Sequence, residues 1–585
     1  KDWFSDVKKA FEGAPFDEVA GHTRSSFADL EALGWLQNAF ERNYAAAKSE
    51  EGVCDFGDLE KLTLRLLQNE AVREEIRHRY RMVFVDEYQD VHRLQDAIVS
   101  LLSEETNLFI VGDVKQSIYG FRLCDAELLQ KRLAAAGNSE NVLALGLNRN
   151  FRSTAKILDF ANETFDAVMK ESFGGANYAE DGISRFDVTP DQSENVEILY
   201  HFAEKEEVPE AEGIYDVTQK ASSRISIARQ EARIVAARIR KLVTEGVRTA
   251  EGVRRSVNYE DIAILSRTMA GYAEEFYAEL SRFVPDVMQR EQNLLDGAEV
   301  RNLIHFLRVL DNPNDGIAFY GALKAFGHLT EQEVVTLKIG AETLAEGVQK
   351  VLQTESDLSR KVQAFLRLTE EYRFLSYSLP VDEFLFRLIR QTEYFYYLLG
   401  MANGCYRKNC VDLFLAGIKG QPYAATVGKF LHYLSQTNQI NAAPPAEGSL
   451  RAVRMMSVHA SKGLEFPVVF LCNVAKEFSL RSDAVLTEKA LGLAIAYRDE
   501  TQMRKFHHFA DAALKTENTR HVKEDELRML YVALTRARQK LIIVGSPKKT
   551  QLRPEKWDHP EKATCYVHWL CKQASVPYVE TDVPQ

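Results

Sequence analysis

The sequence predicts an α/β protein whose strands form parallel sheets. Two short apolar runs, residues 82–85 and 108–111, have the length and composition of buried strands. Between them, apolar residues recur at helical spacing on one face: Leu94, Ala97, Ile98, Leu101 and Leu102. This order of strand, helix and strand within about thirty residues allows the right-handed crossover that joins parallel strands.

Both apolar runs end in carboxylates. Asp86 and Glu87 follow the first run, and Gly112 and Asp113 follow the second. In open parallel sheets, ligands bind beyond the carboxyl ends of the strands. A carboxylate there can hold Mg2+ on a nucleotide, and a second one can orient an attacking water. An Asp-Glu pair after a strand is also typical of a solvated turn, so both interpretations stay open at this point.

Two longer runs around these acids carry a resemblance to a known family. Residues 85–90 read Val-Asp-Glu-Tyr-Gln-Asp, and residues 111–122 read Val-Gly-Asp-Val-Lys-Gln-Ser-Ile-Tyr-Gly-Phe-Arg. They resemble motifs II and III of superfamily 1 helicases of the UvrD/Rep type. Within that group, the second run is most similar to the helicase-nuclease proteins of the AddA (RexA) type.

The resemblance implies two RecA-like cores, the first incomplete, with a helical 2B insertion in the second core. The predicted domains are the remainder of RecA-like domain 1 (1–150), the first part of domain 2A (151–312), the 2B insertion (313–449), the second part of domain 2A (450–550) and a tail leading toward a nuclease domain (551–585). A helix over 298–311 is expected to introduce the insertion, and the Ala- and Pro-rich residues 442–448 are a predicted linker.

Motif III contains a candidate coupling between nucleotide and DNA. The resemblance makes Gln116 the sensor of the terminal phosphate, and Tyr119, Phe121 and Arg122 follow it. Aromatic rings beside an arginine suit unpaired bases, since stacking does not depend on sequence. A shift of Gln116 would therefore move the rings that contact DNA. The alternative is that Phe121, like Ile118, packs in the core.

Residues 148–154, Asn-Arg-Asn-Phe-Arg-Ser-Thr, resemble motif IV. The resemblance makes Phe151 a base contact and Arg152 a phosphate contact. Arginine suits this role because its planar, permanently charged group binds phosphate through two hydrogen bonds. The alternative is an ordinary surface arginine before a helix.

Residues 458–467, Val-His-Ala-Ser-Lys-Gly-Leu-Glu-Phe-Pro, resemble motif V and lie between two predicted strands, 453–457 and 468–471. A glycine-containing turn between buried strands exposes backbone amides, and its polar side chains can reach a DNA phosphate or a base. The residues implied for DNA contact are His459, Ser461 and Lys462. The resemblance gives Glu465 a contact with the nucleotide.

Residues 526–538 resemble motif VI. Leu527, Leu530, Tyr531 and Leu534 fill one helical face, which leaves Arg536 off that face and predicts that it points freely toward a ligand. An arginine delivered from a second domain to a phosphate neutralises charge that develops in the transition state. Arg538 is expected to be solvated, and a strand over 541–544 is expected to close the second core.

The resemblance implies an ATP-dependent 3'-5' DNA helicase and translocase that uses ATP and Mg2+. Asp86 would hold the metal, Glu87 would orient the water, and Gln116, Arg152 and Arg536 would surround the terminal phosphate. The implied partners are single- and double-stranded DNA and an AddB-type (RexB) protein, in the processing of double-strand ends for recombinational repair. Two alternatives remain: a UvrD-like helicase without a nuclease partner, and a DNA-binding scaffold that hydrolyses nothing.

Composition limits these functions. The 585 residues are 45% hydrophobic and 27% charged, typical of a multidomain globular protein, and no apolar run has the length of a membrane span. A cytoplasmic location is expected. The net charge of -12 speaks against a bulk electrostatic grip on nucleic acid, so DNA contacts must be local. Seven cysteines without a Cys-x-x-Cys pair argue against a disulfide framework or a zinc site.

Two family features are absent from the sequence. No Gly-x-x-x-x-Gly-Lys-Ser/Thr loop is present, although motif II acids normally act on a nucleotide held by such a loop. The tail carries no cluster of acids and lysine like that of a nuclease domain. The chain is therefore expected to begin after the phosphate loop, to end before the nuclease domain and to be inactive alone.

Two further stretches have plain structural interpretations. Asp55 or Asp58 is predicted to cap a helix, although the stretch also resembles an element that precedes motif II. The aromatic cluster at 394–397 is predicted to pack in the core rather than to bind DNA.

Overall fold

The computed structural model describes most of the chain. The described residues are 11, 15–104, 106–136, 141–181, 184–185, 196–202, 226–249, 252–269, 271–284, 287–289, 294–339, 341, 343–401, 404–437, 440, 452–480, 484–489, 491–499, 503–553, 559–571, 576 and 578–584. The predicted linker at 442–448 lies outside them.

Strands and helices both occur from residue 83 to 289 and again from residue 453 onward, whereas the described residues between 298 and 437 contain helices and no strands. The helices are α1 (Phe16–Glu51), α2 (Phe56–Gln68), α3 (Glu70–Arg79), α4 (Arg93–Leu102), α5 (Ala126–Ala136), α6 (Ala155–Val168), α7 (Tyr178–Asp181), α8 (Ile227–Glu245), α9 (Ala273–Leu280), α10 (Ala298–Asp311), α11 (Gly316–Phe326), α12 (Glu331–Lys338), α13 (Leu344–Leu352), α14 (Asp357–Leu375), α15 (Val381–Gln391), α16 (Tyr394–Leu399), α17 (Gly404–Ile418), α18 (Val427–Thr437), α19 (Phe509–Leu534) and α20 (Tyr566–Leu570). The strands are β1 (Val83–Val85), β2 (Leu108–Ile110), β3 (Arg149–Asn150), β4 (Ser184–Arg185), β5 (Val196–Tyr200), β6 (Val247–Arg248), β7 (Arg254–Arg255), β8 (Ile262–Ser266), β9 (Val287–Gln289), β10 (Val453–Ser457), β11 (Phe466–Cys472), β12 (Val485–Glu488), β13 (Gly492–Ile495), β14 (Tyr497–Asp499), β15 (Arg504–Phe506), β16 (Ala537–Gly545) and β17 (Tyr578–Glu580).

The largest sheet has seven parallel strands in the order β17-β5-β16-β11-β8-β10-β9. Every residue of its interior strand β8 is buried. Ile262 and Ile264 point to one face of the sheet, and Ala263 and Leu265 point to the other, as the two-residue period of a strand requires. Both faces are therefore covered, as is usual for parallel sheets.

Two hydrophobic cores lie on the two faces of this sheet. The first core is continuous from the sheet through helices α8 to α18, where Phe306 packs against Phe326 with 5.1 Å between ring centroids. The second core contains α6, the end of α19 and α20. Tyr394 is buried in the first core, so the prediction that this cluster packs in the core is confirmed for that residue.

A separate pair of parallel strands, β1 and β2, aligns Val83 with Leu108 and Val85 with Ile110. The predicted parallel arrangement and the intervening helix α4 are confirmed. The prediction that both strands are buried is wrong, because Phe84 and Phe109 are exposed on one face of the pair. Among the described residues, a small hydrophobic cluster that includes Tyr88, Val91, Val114 and Leu129 covers the other face.

The final part of the chain joins the seven-stranded sheet. β17 pairs with β5 at the edge of the sheet, and Trp569 of α20 is fully buried in the second core. The strand predicted at 541–544 is confirmed as part of β16, and it lies inside the sheet, between β5 and β11. The reason is that parallel strands are joined by crossovers, so sequence order does not determine position in the sheet.

Local interactions account for the predicted start of α2. Asp55 accepts a hydrogen bond from the Asp58 amide at 2.8 Å, and Asp58 accepts one from the Asp55 amide at 3.0 Å. This reciprocal capping box confirms the predicted cap. Lys48 pairs with both carboxylates, chiefly through hydrogen bonds, and lowers the pKa of Asp55 to about 2.

Within the described residues, no helix is both long enough and apolar enough to cross a membrane.

Candidate functional site

The turn after β1 presents two exposed carboxylates, Asp86 and Glu87. Glu87 has φ 51° and ψ 42°, a left-handed conformation that is uncommon for a side chain of this size and is often found at functional sites. Its amide donates to Asp86 Oδ1 at 2.8 Å, and its carboxylate accepts a hydrogen bond from Gln89 Nε2. The turn is thus held in one conformation with both acids facing outward.

Gln89, which sequence reasoning did not single out, connects the two carboxylate turns. It is fully buried, and its Oε1 accepts a hydrogen bond from the Asp113 amide at 2.9 Å. A Cβ on Gly112 would lie 2.7 Å from the same Oε1, so only glycine fits beside this contact. The ends of β1 and β2 are therefore fixed to each other.

The turn after β2 holds Gln116 in place. Gln116 Nε2 donates to Asp113 Oδ2 at 3.0 Å, and Lys115 Nζ lies 2.9 Å from Asp113 Oδ1. On its other side, Tyr531 of α19 lies close enough to Asp113 for the carboxylate to help raise the pKa of the phenol, although burial is the main cause. Gln116 is thus beside the acidic turn, where its proposed role as a sensor needs it.

Lys462 lies among the carboxylates that follow β1. Its ammonium group pairs with Asp90, donates to the Gln116 carbonyl at 2.8 Å and lies 3.9 Å from Glu87 Oε2. Its side chain is only 7% exposed. Lys462 is directed at these acids because the turn after β10 crosses to the ends of β1 and β2, and its contact with DNA stays a prediction.

Ser461 of the same turn points into the protein. It is fully buried, and its hydroxyl donates to the Val458 carbonyl at 2.7 Å. This hydroxyl stabilises the helical turn His459–Ser461 from inside, and the contact of Ser461 with DNA stays a prediction.

Arg536 approaches the same region from the end of α19, but it does not point freely toward a ligand. It is 2% exposed, and it donates to the Val532 carbonyl at 2.9 Å and the Leu464 carbonyl at 3.1 Å. Burial, and then the nearby Arg152 guanidinium, lower the pKa of Arg536 to about 10. The prediction of a free arginine is therefore wrong, since the helix end and the next loop enclose its side chain.

Arg152 and Arg538 hold Glu465 between them. Arg152 Nε lies 2.5 Å from Glu465 Oε2, and Arg538 Nη1 lies 3.2 Å from Glu465 Oε1. Arg538 is half-exposed, so the expectation that it is solvated is confirmed, and it also pairs with Glu465. Arg152, Arg538, Glu465 and Arg536 form one charged group. Within it, the guanidinium groups of Arg152 and Arg536 lie close to each other.

Aromatic rings gather beside this region on the surface. Phe121 lies 5.5 Å from His459 and 6.0 Å from Tyr119 between ring centroids, and Arg122 lies over both Phe121 and Tyr119 at 5.6 and 5.4 Å. Phe121 is 67% exposed, so the alternative of core packing is wrong for Phe121, whereas Ile118 is buried. We refer to Tyr119, Phe121, Arg122 and His459 as the base platform.

Phe151 is also exposed, at 71%, in the loop that follows β3 and directly precedes Arg152. His459 Nε2 lies 3.2 Å from the Ile118 carbonyl, which orients the imidazole toward the motif III segment. The imidazole of the base platform is thus held against the motif III segment.

Comparison with known proteins identifies the family of the chain. Residues 31–135 match the model of the UvrD/REP helicase N-terminal domain, and residues 145–374 and 359–547 match the model of the UvrD-like helicase C-terminal domain. Because the second model covers more than half of the chain, the chain belongs to the UvrD-like helicase family.

The relatives narrow this class. The chain is 29% identical to the A-type subunit of an ATP-dependent helicase/nuclease from Alkaliphilus oremlandii, over 97% of its own length and 49% of the relative. It is 32% identical to the protein of the same name from Anoxybacillus flavithermus, over 90% of its length and 46% of the relative. The recognition of an AddA-type chain is therefore confirmed. The chain spans about half the length of the curated relatives it matches.

Several residues of the site escaped sequence reasoning. Gln89 and Asp90 lie inside the motif II run, so the motif itself could have indicated them. Lys115 and Tyr531 lie inside motifs III and VI, but their contacts with Asp113 depend on tertiary structure. No periodicity in the sequence could have indicated those contacts.

Proposed function

We propose that the whole protein is an ATP-dependent DNA helicase that translocates 3' to 5' along single-stranded DNA. The observation that supports this proposal most is that carboxylates and cationic groups from different parts of the chain lie against each other. The acids that follow β1 and β2 lie against cationic groups from later segments, above all Lys462, which spans Asp90, Glu87 and the Gln116 carbonyl. The cleft between these acids and cationic groups suits a nucleoside triphosphate.

The electrostatics favour a polyanion at this cleft. The Arg536 guanidinium is desolvated and lies near the Arg152 guanidinium, and both effects lower its pKa. A phosphate group would relieve this repulsion and could accept hydrogen bonds from Arg152, whose side chain is 35% exposed. In this proposal Glu465 releases Arg152 when nucleotide binds, and Gln116 senses the terminal phosphate.

The residues present fit Mg2+. Asp86 is an exposed hard-oxygen donor at the carboxyl end of β1, with Glu87 beside it. Mg2+ is usually bound by one or two carboxylates together with substrate phosphates, so a larger cluster of protein ligands is not needed. When bound, the ion would neutralise charge on the phosphates. Asp86 would hold it, and Glu87 would orient the attacking water.

Single-stranded DNA is proposed to lie across the base platform and Phe151. The exposed rings can stack on bases of any sequence, and Arg122 adds a positive charge beside them. Since the net charge of the chain is -12, such local contacts supply the affinity that bulk charge does not. Opening and closing of the cleft with nucleotide would move the strand across the platform.

The fold supports this proposal in outline. The seven-stranded sheet would be one RecA-like core, which is domain 2A, and β1 and β2 would belong to the first core, domain 1 at 1–150. The 2A segments 151–312 and 450–550 would flank a helical 2B insertion at 313–449. The tail beyond 551 would contribute β17 to domain 2A and then lead to a nuclease domain.

The biological role of the whole protein is proposed from the name that its relatives carry. Their name describes the A-type subunit of an ATP-dependent helicase/nuclease, and thus two activities. We infer nuclease activity in the whole protein, a partner of the AddB type and a role in the cytoplasm in processing double-strand ends for recombinational repair. A UvrD-like helicase without such a partner is the second candidate, and co-purification with an AddB-type protein decides between them.

The decisive test is Glu87→Gln in the full-length protein. Glutamine keeps the shape of the side chain but removes the charge that orients water, so ATP turnover is expected to fall by about 100-fold or more while ATP binding stays within about twofold. Steady-state hydrolysis and equilibrium binding of a fluorescent nucleotide measure the two effects.

The matched control is Glu75→Gln, which removes an exposed carboxylate on α3 that pairs with Arg79 of the same helix. It should leave both quantities unchanged. Loss of nucleotide binding by Glu87→Gln with normal turnover per bound nucleotide would contradict the assigned role.

A further inference from the structure

Arg528 of α19 joins three separate parts of the chain. It is buried, and its guanidinium donates to the Ser117 carbonyl at 2.8 Å, the Gly174 carbonyl at 3.3 Å and Asp525 Oδ1 at 2.5 Å. A planar group with five donors can satisfy several acceptors at once, whereas lysine offers a single ammonium. The position therefore calls for arginine specifically.

The carbonyl that Arg528 binds lies at the centre of motif III. Ser117 directly follows Gln116 and comes two residues before Tyr119, the first ring of the base platform. The Ser117 hydroxyl donates to the Gln89 carbonyl at 3.0 Å, so Ser117 is also tied to the acidic turn after β1. Ser117 is thus held from both sides between the nucleotide residues and the platform.

Close packing reinforces this contact. A Cβ on Gly120 would lie 2.4 Å from Asp525 Oδ2, so the turn that carries Phe121 lies directly against the residue that Arg528 pairs with. Just after motif III, the buried carboxylate of Asp125 pairs with Lys489. Residues from the second half of the chain therefore contact the region of motif III on both sides of the base platform, Arg528 at Ser117 and Lys489 at Asp125.

We propose that Arg528 is a positioning residue that couples the nucleotide site to the base platform. Its bond to Ser117 makes a fixed pivot, so that a shift of Gln116 is passed to Tyr119 and Phe121 instead of being absorbed by the intervening backbone. Arg528 lies in the last two turns of α19, which ends at Leu534, two residues before Arg536. This inference rests on the proposed function and adds a residue to it.

The test is Arg528→Gln in the full-length protein, with ATP turnover measured with and without saturating single-stranded DNA. Loss of the pivot should reduce the stimulation by DNA about tenfold, as expected for a coupling free energy between two sites. Turnover without DNA and the DNA concentration that gives half-maximal stimulation should each stay within about twofold, because Arg528 contacts neither ligand.

Arg520→Gln is the matched control. Arg520 lies eight residues earlier on the same helix and also donates to a loop carbonyl, that of Ser172 at 3.3 Å, but it pairs with Glu517 and Glu524 and not with motif III. It should retain normal stimulation. Arg528→Lys, which keeps one donor group, should restore part of the stimulation and also serves if the glutamine variant does not fold.

The outcomes are distinct. Equal losses of basal and DNA-stimulated turnover by both Arg528 variants would mean that the residue is only structural, and undiminished stimulation would also overturn the proposal. If the unaltered protein shows no stimulation by DNA, the proposed function fails together with the coupling. Selective loss of stimulation by DNA in Arg528→Gln, with normal stimulation in Arg520→Gln, supports the proposal.

Discussion

At the residue scale, the site depends on charges that are held against one another by burial. Burial raises the pKa of Asp90, while its pairing with Lys462 opposes that shift. Removing either partner alone would leave a buried charge without compensation, which is costly. The pair therefore fixes the turn after β10 to the acids after β1, and it gives the cleft a defined geometry.

The exposure of Phe121 leads to a prediction about DNA binding. Phe121→Ala should weaken single-strand binding about tenfold, since stacking on one base contributes roughly 1–3 kcal/mol. ATP binding should be unchanged, because the ring lies on the surface with Tyr119 and His459. Fluorescence anisotropy with a labelled oligothymidylate measures the first quantity.

Phe374→Ala is the control, since Phe374 is also strongly exposed but belongs to α14 in the helical region. It should bind DNA normally. Equal losses of DNA and ATP binding by Phe121→Ala would show that the ring supports the fold instead of the DNA.

His568 leads to a prediction about pH. Burial lowers its pKa to about 4, from an ordinary value of 6.5, and its Nδ1 accepts a hydrogen bond from the Thr564 amide at 3.1 Å. The unfolded chain thus takes up a proton here below pH 6.5, but the folded chain does so only near pH 4. The free energy of unfolding should therefore fall as the pH falls, by about 2 kcal/mol from this residue between pH 7 and 5.

The measurement is urea denaturation at pH 7 and 5. His568→Asn keeps an acceptor near the Thr564 amide but does not titrate, so it should lose about 2 kcal/mol less than the unaltered protein over this interval. His78→Asn, at an exposed position of α3, should behave like the unaltered protein. Identical pH dependence in all three proteins would refute the assignment.

At the scale of elements, glycine permits a close approach of two helices in the first core. A Cβ on Gly347 of α13 would lie 1.7 Å from the Leu337 carbonyl oxygen of α12. Because that oxygen belongs to the backbone, the helices would have to separate. Gly347→Ala should therefore lower the free energy of unfolding by about 2 kcal/mol or more.

Gly428→Ala in α18 is the matched control, because no heavy atom lies within 4 Å of the added Cβ. There alanine should stabilise the helix by up to about 1 kcal/mol. Urea denaturation midpoints measure both effects, and a neutral Gly347→Ala would show that α12 and α13 separate easily.

Elements were predictable where a local pattern suffices. Residues 262–267 and 298–311 have clear strand and helix periodicity, and the structure has β8 and α10 there. Residues 142–145 are equally apolar, yet they form no strand, and Leu143 and Leu145 are exposed. A strand needs a neighbour to bond with, and sequence periodicity does not indicate whether one is present.

At the scale of the whole molecule, the motifs identified the site, but they did not determine which side chains face inward. Residues far apart in the chain meet there, as when Arg152 pairs with Glu465. The directions of Lys462, Ser461 and Arg536 depend on how the later strands cross to the ends of β1 and β2. That arrangement depends on the tertiary structure. The motif spacing therefore predicted which residues lie near one another better than it predicted the directions of their side chains.

The whole chain also leads to a prediction about activity. The sequence contains no Gly-x-x-x-x-Gly-Lys-Ser/Thr loop, whose amides and lysine would hold the phosphates of ATP. Lys462 cannot replace that lysine, because it is already bound to Asp90 and the Gln116 carbonyl. The 585-residue chain alone should therefore hydrolyse ATP about a thousandfold more slowly than the full-length protein, with or without single-stranded DNA.

Steady-state hydrolysis by the 585-residue chain, its Glu87→Gln variant and the full-length protein tests this. Equal, negligible rates for the first two would show that the acids after β1 cannot act until the phosphates are held. DNA-stimulated hydrolysis by the 585-residue chain, abolished by Glu87→Gln, would contradict the prediction. In that case the cationic groups around Arg152 and Arg536 would themselves bind the phosphates tightly enough for turnover, and the nucleotide site would be complete within these residues.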